Sequence, residues 1–354
     1  MTPAAHGWQA IGELYHAYLT GLILTVITRR GRDAAAELVF RTFRRQQLEK
    51  FLPGLEKLGL TTLPHAVACA QYHYLSNDLG GVRVEYMYES ARKAWVRYVP
   101  PRWIWDGTAI CAVPSEVSRA MLHGWHANNG VLLGNSRLGF VCTKQTVDGQ
   151  PGLEGYYYEH DHDLAAEARL RFVPGEEGPD FDPAAAPRVN AATWPPERLQ
   201  KAARNYAMAY VGTILRELVA GFGPAEAVYL GGVAGRLIGM QYYARTAKLL
   251  GVKGGGPEHF AEYMVALGRA QGDDTVASVE GGEVVVRQSS WRLMGDRALA
   301  PALFDAWNEL WIGALSVHDR RARLEARRRR DAGDEAFEWR LRGGARPGAP
   351  GARL

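Results

Sequence analysis

Two short stretches concentrate side chains that could do chemistry. HGWHANN sets His123 and His126 three residues apart, with Trp125 between them and Asn128 just beyond. GYYYEHDHDL runs Tyr156, Tyr157 and Tyr158 into Glu159, His160, Asp161 and His162. Helical residues three apart share a side, so His123 and His126 can point together. On a strand, alternation puts Tyr156, Tyr158, His160 and His162 on one face, and Tyr157, Glu159 and Asp161 on the other. Neutral imidazole nitrogens bind zinc or iron. His123, His126, His160 and His162 are therefore candidate ligands for one divalent metal, Zn or Fe, which would lower the pKa of a bound water. The same residues also fit a surface cap, a histidine packed near Trp125, and a strand end becoming hydrated. The two accounts differ in whether the helix and the strand converge.

Cys142, in FVCTKQ, is a candidate nucleophile, because a thiolate reacts well where a neighbouring cation lowers its pKa and alternation puts Lys144 on its face. Unpaired cysteines are also among the most buried residue types. Glu159 or a histidine is the candidate base for activating water, and Asn128 or a tyrosine hydroxyl the group that would stabilise developing negative charge. Tyr86, Tyr88, Trp125, Asn128 and Tyr158 could line a site for a small cyclic ligand, with Trp95, Trp103 and Trp105 as further flat apolar walls. Glu85 and Glu89 flank YMY and would serve as bases only if burial raised their pKa. The glycines of YLGGVAGRLIG sit in a helical stretch and lack the G-x-G-x-x-G spacing, so they read as close helix packing and not as a dinucleotide site.

The elements that must position these groups are legible in outline. From Trp8 to Tyr74, apolar residues recur at helical spacing. VRVEYMYES and AWVRYV alternate as a hairpin. PSEVSRAMLHGWHANNG reads as a helix with Ser115 as its N-cap, and RLGFVCTKQTVDGQPGLEGYYYEHD as a second hairpin. The stretch rich in Pro, Ala and acid over 172–196 reads as a linker. The order then repeats: helices, a hairpin at TVASVEGGEVVVRQ, one long helix from APALFDAWNEL to ARRRR, and a last strand EAFEWRLR. The expectation is an α+β protein of two similar halves, 1–171 and 197–343, each with helices and a small antiparallel sheet, followed by a disordered tail, 344–354. Such an arrangement implies internal duplication.

The run RNYAMAYVGTILRELVAGFGPAEAVYLGGVAGRLIGMQYYARTAKLLG, then PEHFAEYMVALGRAQG and a hairpin, resembles the L-2-amino-thiazoline-4-carboxylic acid hydrolase-like family. LGFVCTKQ, with Cys142, resembles the cysteine-bearing strand that ends such domains, although the second half lacks a matching cysteine. The resemblance implies a hydrolase acting on a C–N or C–S bond of a small, perhaps cyclic, compound. The layout also looks like the vinyl-reductase-like domains, which implies instead a non-enzymatic small-molecule sensor.

Composition narrows the remaining classes. The 354 residues are 47% hydrophobic and 23% charged, with net charge +4. The longest apolar run, GLILTVIT, is short for a bilayer and is followed by two arginines, so no membrane association is expected. Three scattered cysteines suit reduced thiols, and the N-terminus has no signal-peptide pattern, so a cytoplasmic protein is expected. The arginines of DRRARLEARRRRD have no interleaved aromatics, so nucleic acid is not an expected partner. A small-molecule substrate or ligand is, and self-association into a homo-oligomer stays open.

Overall fold

Helical periodicity and strand alternation each occur twice along the chain, and they build two sheets backed by helices. The computed structural model describes residues 3–100, 109–295 and 299–343. Trp103, Trp105 and the tail 344–354 lie outside them. The protein is α+β, and it divides into two compact units: Tyr15–Gly221, and Met1–Leu14 with Phe222–Leu354.

In the Tyr15–Gly221 unit, α1 (Pro3–Arg30) supplies all but its first turns. There follow α2 (Arg32–Leu58), α3 (His65–Leu79), β1 (Val84–Ser90), β2 (Lys93–Tyr98), α4 (Ser115–Gly124) and a 3-10 turn (His126–Asn128). Then come α5 (Asn129–Leu132), β3 (Leu138–Lys144), β4 (Leu153–Glu159), β5 (Leu170–Phe172) and α6 (Pro196–Phe222). The strands pair in the order β1-β2-β4-β3-β5, antiparallel except for β3 with β5. Helix α3 crosses β1, β2 and β4. The face it covers carries Val96, Tyr98, Phe140, Cys142, Leu153 and Tyr157, all buried. Gly155 is required on that face: a Cβ there would sit 2.3 Å from the Val141 carbonyl and 2.7 Å from the Phe140 ring. Helix α2 ends on Gly59 in the left-handed region (φ 71°), where the next N–H returns to the Leu55 carbonyl.

The opposite face of this sheet is ionic. Glu154 is fully buried and stands directly across from Arg97, which binds it and reaches Glu85 at 2.8 Å. Lys144 Nζ lies 3.2 Å from the Glu154 carboxylate, and the Gly178 N–H donates to it at 3.3 Å. Glu176 holds Lys93 at 3.2 Å and Glu177 pairs with Lys144. The irregular segment 172–196 therefore lies against the sheet inside this unit, with Trp194 buried at its end. The units part at Phe222, after α6.

The second unit contains the first turns of α1, where Gly7 fits against Ala270 and Glu13 pairs with Arg245 at 2.6 Å. It continues through α7 (Pro224–Leu249), α8 (Pro257–Gln271), β6 (Thr275–Glu280), β7 (Glu283–Gln288), α9 (Pro301–His318), β8 (Arg323–Arg328) and β9 (Phe337–Arg342). Helices α7, α8 and α9 each begin on proline, where the missing N–H costs nothing. The strand order is β6-β7-β9-β8, all antiparallel. Gly239 and Gly313 let α7 and α9 meet backbone to backbone: a Cβ on either would lie within 2.2 Å of a carbonyl on the other helix.

Two expectations need correction. The long helix expected to run through ARRRR stops at His318. Asp319 is extended (φ −149°), and RLEARR forms β8 beside β9, with Leu324 and Ala326 turned inward. Pairing to a neighbouring strand outweighs the helical preference of Leu, Glu, Ala and Arg. The apolar stretch GLILTVIT is also only part of α1, which by length and composition is long enough to cross a bilayer; 67% of its most apolar window is buried in the protein.

Burial alone would raise the Glu154 carboxyl, but Arg97, Lys144 and the Gly178 N–H outweigh it and hold it below its ordinary 4.5. A depressed folded value contributes stability that is present above pH 4.5 and is lost as the pH falls through the folded value. Thermal unfolding of Glu154→Gln should show about 3 kcal/mol less stability at pH 7, and a flatter loss between pH 5 and 3 than the native chain shows.

Candidate functional site

The chemically richest place in the Tyr15–Gly221 unit lies between α3 and the covered face of its sheet. His73 projects from α3, Tyr98 ends β2, His126 opens the 3-10 turn, Asn129 opens α5, and Tyr157 stands on β4. All five are buried. The Tyr98 hydroxyl bridges the two histidines, 3.0 Å from His73 Nδ1 and 3.0 Å from His126 Nε2. Asn129 Nδ2 reaches His73 Nε2 at 3.1 Å and the Tyr157 oxygen at 2.9 Å. The two imidazoles stack with centroids 4.1 Å apart, and Tyr157 lies parallel to both.

The direction of these bonds follows from one end. Arg44 can only donate, and its partner is Gln47 Oε1. Gln47 Nε2 must then donate, to the Asn128 carbonyl at 3.1 Å and to Asn129 Oδ1 at 3.3 Å. Asn129 in turn presents its N–H groups to His73 and Tyr157. His73 Nε2 accepts, so its proton is on Nδ1 and donates to the Tyr98 oxygen. The Tyr98 O–H is placed to donate to His126 Nε2, which puts the His126 proton on Nδ1. Both imidazoles are neutral in this order.

Beside the histidines opens a cavity of about 400 Å³ between α2, α3 and α6. Phe43, Tyr72, Trp125, Trp194, Tyr206 and Tyr210 form its aromatic walls, and His73, His126 and Tyr98 border its buried side. Two glycines set its shape: Gly54 lies under the Tyr72 ring and Gly80 under the Tyr206 ring, where a Cβ would come within 2.5 and 2.7 Å. Pro53, inside α2, also lines it. Proline has no N–H, so the helix cannot close its bond to the Glu49 carbonyl there. The wall amides are satisfied: Gln46 donates to Thr213 Oγ1 at 2.6 Å, and Asn77 accepts from the Tyr206 hydroxyl at 2.9 Å.

Of the residues singled out in the sequence, His126 and Trp125 belong to this site. His123 does not join His126: α4 ends at Gly124 and the chain turns, leaving His123 exposed and His126 inside. Asn128 caps that helix end, donating to the His123 carbonyl at 2.7 Å. In GYYYEHDHDL the alternation separates the residues. Tyr157 turns into the core, while Tyr156, Tyr158, His160 and His162 form a ladder on the outer face, with Tyr158 and His160 4.7 Å apart and the two histidines 5.5 Å apart. Burial and the neighbouring His162 push His160 below its ordinary value. The four candidate metal histidines are thus apart: His123 is exposed on α4, His126 is buried under the covered face of the sheet, and His160 and His162 are on its outer side. Among the described residues, no group of three or more His, Cys, Asp or Glu is placed to hold a metal ion.

The other candidates are engaged elsewhere. Glu159 pairs with Arg137 at 2.7 Å and accepts from Asn135 at 3.1 Å. The Cys142 thiol donates to the Lys144 carbonyl, and burial pushes its pKa up to about 12. A bulge after Cys142 turns Lys144 away to Glu154. Tyr86 is buried against Gln71, Tyr88 is 60% exposed at the hairpin end, and Tyr158 lies beneath Arg92. His73, Tyr72, Tyr98 and Gln47 escaped the sequence reading. Their one local sign is QYHY on α3, an aromatic and imidazole cluster that follows the small apolar run AVACA.

No protein-family model matches the chain, nor does any curated protein or solved structure.

Two measurements check this geometry. Tyr98→Phe removes the hydroxyl that serves both histidines and should cost about 2 kcal/mol in chemical denaturation. A thiol reagent at neutral pH should label Cys111, which is exposed, while Cys69 and Cys142 should react only after unfolding.

Proposed function

We propose that the Tyr15–Gly221 unit is a small-molecule-binding module whose ligand occupies the cavity between α2, α3 and α6. The observation that carries this reading is the cavity itself: aromatic walls around about 400 Å³, bordered by a buried neutral hydrogen-bond chain. Volume and lining fall in the range of small-molecule sites. The binder reading is the sensor-like alternative that the vinyl-reductase-like resemblance implies.

Hydrolysis of a C–N or C–S bond has less behind it. A nucleophilic cysteine should be ionisable, and Cys142 is a buried thiol that does not line the cavity. Glu159 is committed to Arg137. A hydrolytic mechanism would have to run from His73 and His126, whose ring nitrogens already serve Asn129 and Tyr98.

Internal duplication is part of the same proposal. Both units follow their helices with a hairpin, a helix and two further strands, in the sheet orders β1-β2-β4-β3 and β6-β7-β9-β8. Arg97 faces Glu154 on one sheet, and Arg287 faces Glu338 on the other. A bulge follows Cys142 on β3 and Ala326 on β8. Met264 precedes β6 by as many residues as His73 precedes β1, so the second unit has a thioether where the first has an imidazole.

The test fills the cavity. Ala209 lines it from α6, and Ala209→Phe places a ring in the space at little cost to a helix. Ligands found by thermal shift on the native protein should lose at least about tenfold in affinity on this variant, while its circular dichroism stays native. Retained affinity on a folded Ala209→Phe protein would sink the proposal.

A further inference from the structure

We propose that the ligand of this cavity is an organic anion, an aromatic or otherwise apolar acid whose carboxylate rests between Lys50 and Lys57. This inference rests on the binding-module reading and names the chemistry of its ligand. Lys50 and Lys57 are seven residues apart on α2, two helical turns, so they stand on one side of it. Both line the cavity and both are exposed, at its mouth. Lys50 Nζ has no hydrogen-bond or ion-pair partner among the described residues. Lys57 Nζ has no carboxylate partner among them and lies 5.0 Å from the Trp194 ring. Glu49, the only acidic residue of the lining, is exposed and has Arg45 within 3.8 Å. The lining at the mouth therefore carries two ammonium groups against one carboxylate, a net positive charge, and the walls behind it are aromatic.

An apolar acid matches this distribution end to end. Its hydrocarbon or ring would replace water along Phe43, Tyr72, Trp125 and Tyr210. Its carboxylate would stay at the wet end, where an ammonium group offers charge without the cost of burying an ion. A cationic ligand would set its charge against Lys50 and Lys57.

The experiment is isothermal titration of the full chain with three acids, naphthalene-2-carboxylate, indole-3-carboxylate and decanoate, each beside its neutral amide. The expected result is that at least one acid binds more tightly than its amide. That preference should fall roughly threefold in Lys50→Gln or Lys57→Gln and about tenfold in the double variant, and added salt should weaken it. Both substitutions are on the exposed side of a helix, and a thermal melt of each variant checks that it is folded. An amide that binds as well as its acid, or an acid preference that survives the double variant, would overturn the inference and leave the binding module standing. Acid binding that persists in Ala209→Phe would mark mere attraction to surface lysines and overturn it too. If no acid and no amide binds, the inference is overturned, and the Ala209→Phe comparison with ligands found by thermal shift decides the binding module separately.

Discussion

One amide orientation governs the interior of the Tyr15–Gly221 unit. Arg44 holds Gln47 by its oxygen, and every later donor in the chain to Asn129, His73, Tyr98 and His126 then has a single direction. The consequence is structural as well as chemical. Two imidazoles with centroids 4.1 Å apart would repel if both carried a proton charge, and the chain's order keeps each with one N–H and one acceptor. A buried polar network is costly when half satisfied and rigidifying when complete. Here the chain of bonds draws α2, α3, α5, β2 and β4 to one point, and the aromatic cavity opens beside that point.

The other face of the same sheet solves a different problem. Glu154 is as buried as Tyr157, yet it is a carboxylate, so it needs cations on both sides; Arg97 and Lys144 supply them. The second unit meets the same need at Glu338, with Arg287 and Arg340. In each case the arginine sits directly opposite in the strand register, which is the shortest cross-strand approach available. Because the ionic layer is confined to one face, the helix-covered face is left for apolar packing and the neutral chain. A sheet one residue out of register would exchange the two faces and lose both.

Much of the fold was legible from local pattern. Alternation placed both hairpins of the first unit and separated Tyr157 from Tyr156 and Tyr158, because strand period is a local property. The end of α9 was not legible: RLEARR has helical composition, and only its pairing with β9 makes it a strand. The site was legible in part. HGWH drew attention through its spacing, but the spacing assumed an unbroken helix, and the turn after Gly124 sends His123 and His126 in different directions. His126's actual partners, His73 and Tyr98, are 53 and 28 residues away in sequence. Nothing local to QYHY or to AWVRY announces that they meet, since a helix crossing a sheet brings them together.

Helix α2 shows how one element can set both the depth and the polarity of a pocket. Phe43, Gln46, Lys50, Pro53 and Lys57 follow one another at three- and four-residue steps, Gly54 adjoins Pro53, and all border the cavity. The stripe is graded. It starts with a ring and an amide near the buried chain, passes a proline–glycine step where the backbone loses a bond and Tyr72 gains room, and ends with an ammonium group in water. Pro53 and Gly54 are poor choices for a helix interior, costing it about 3 and 1 kcal/mol against alanine. Their position is informative for that reason. A helix under selection for stability alone would carry alanine or leucine there, and at Gly54 even an alanine Cβ would strike the Tyr72 ring. The local cost falls where the cavity needs its space, as it does where a functional site departs from the pattern of its scaffold.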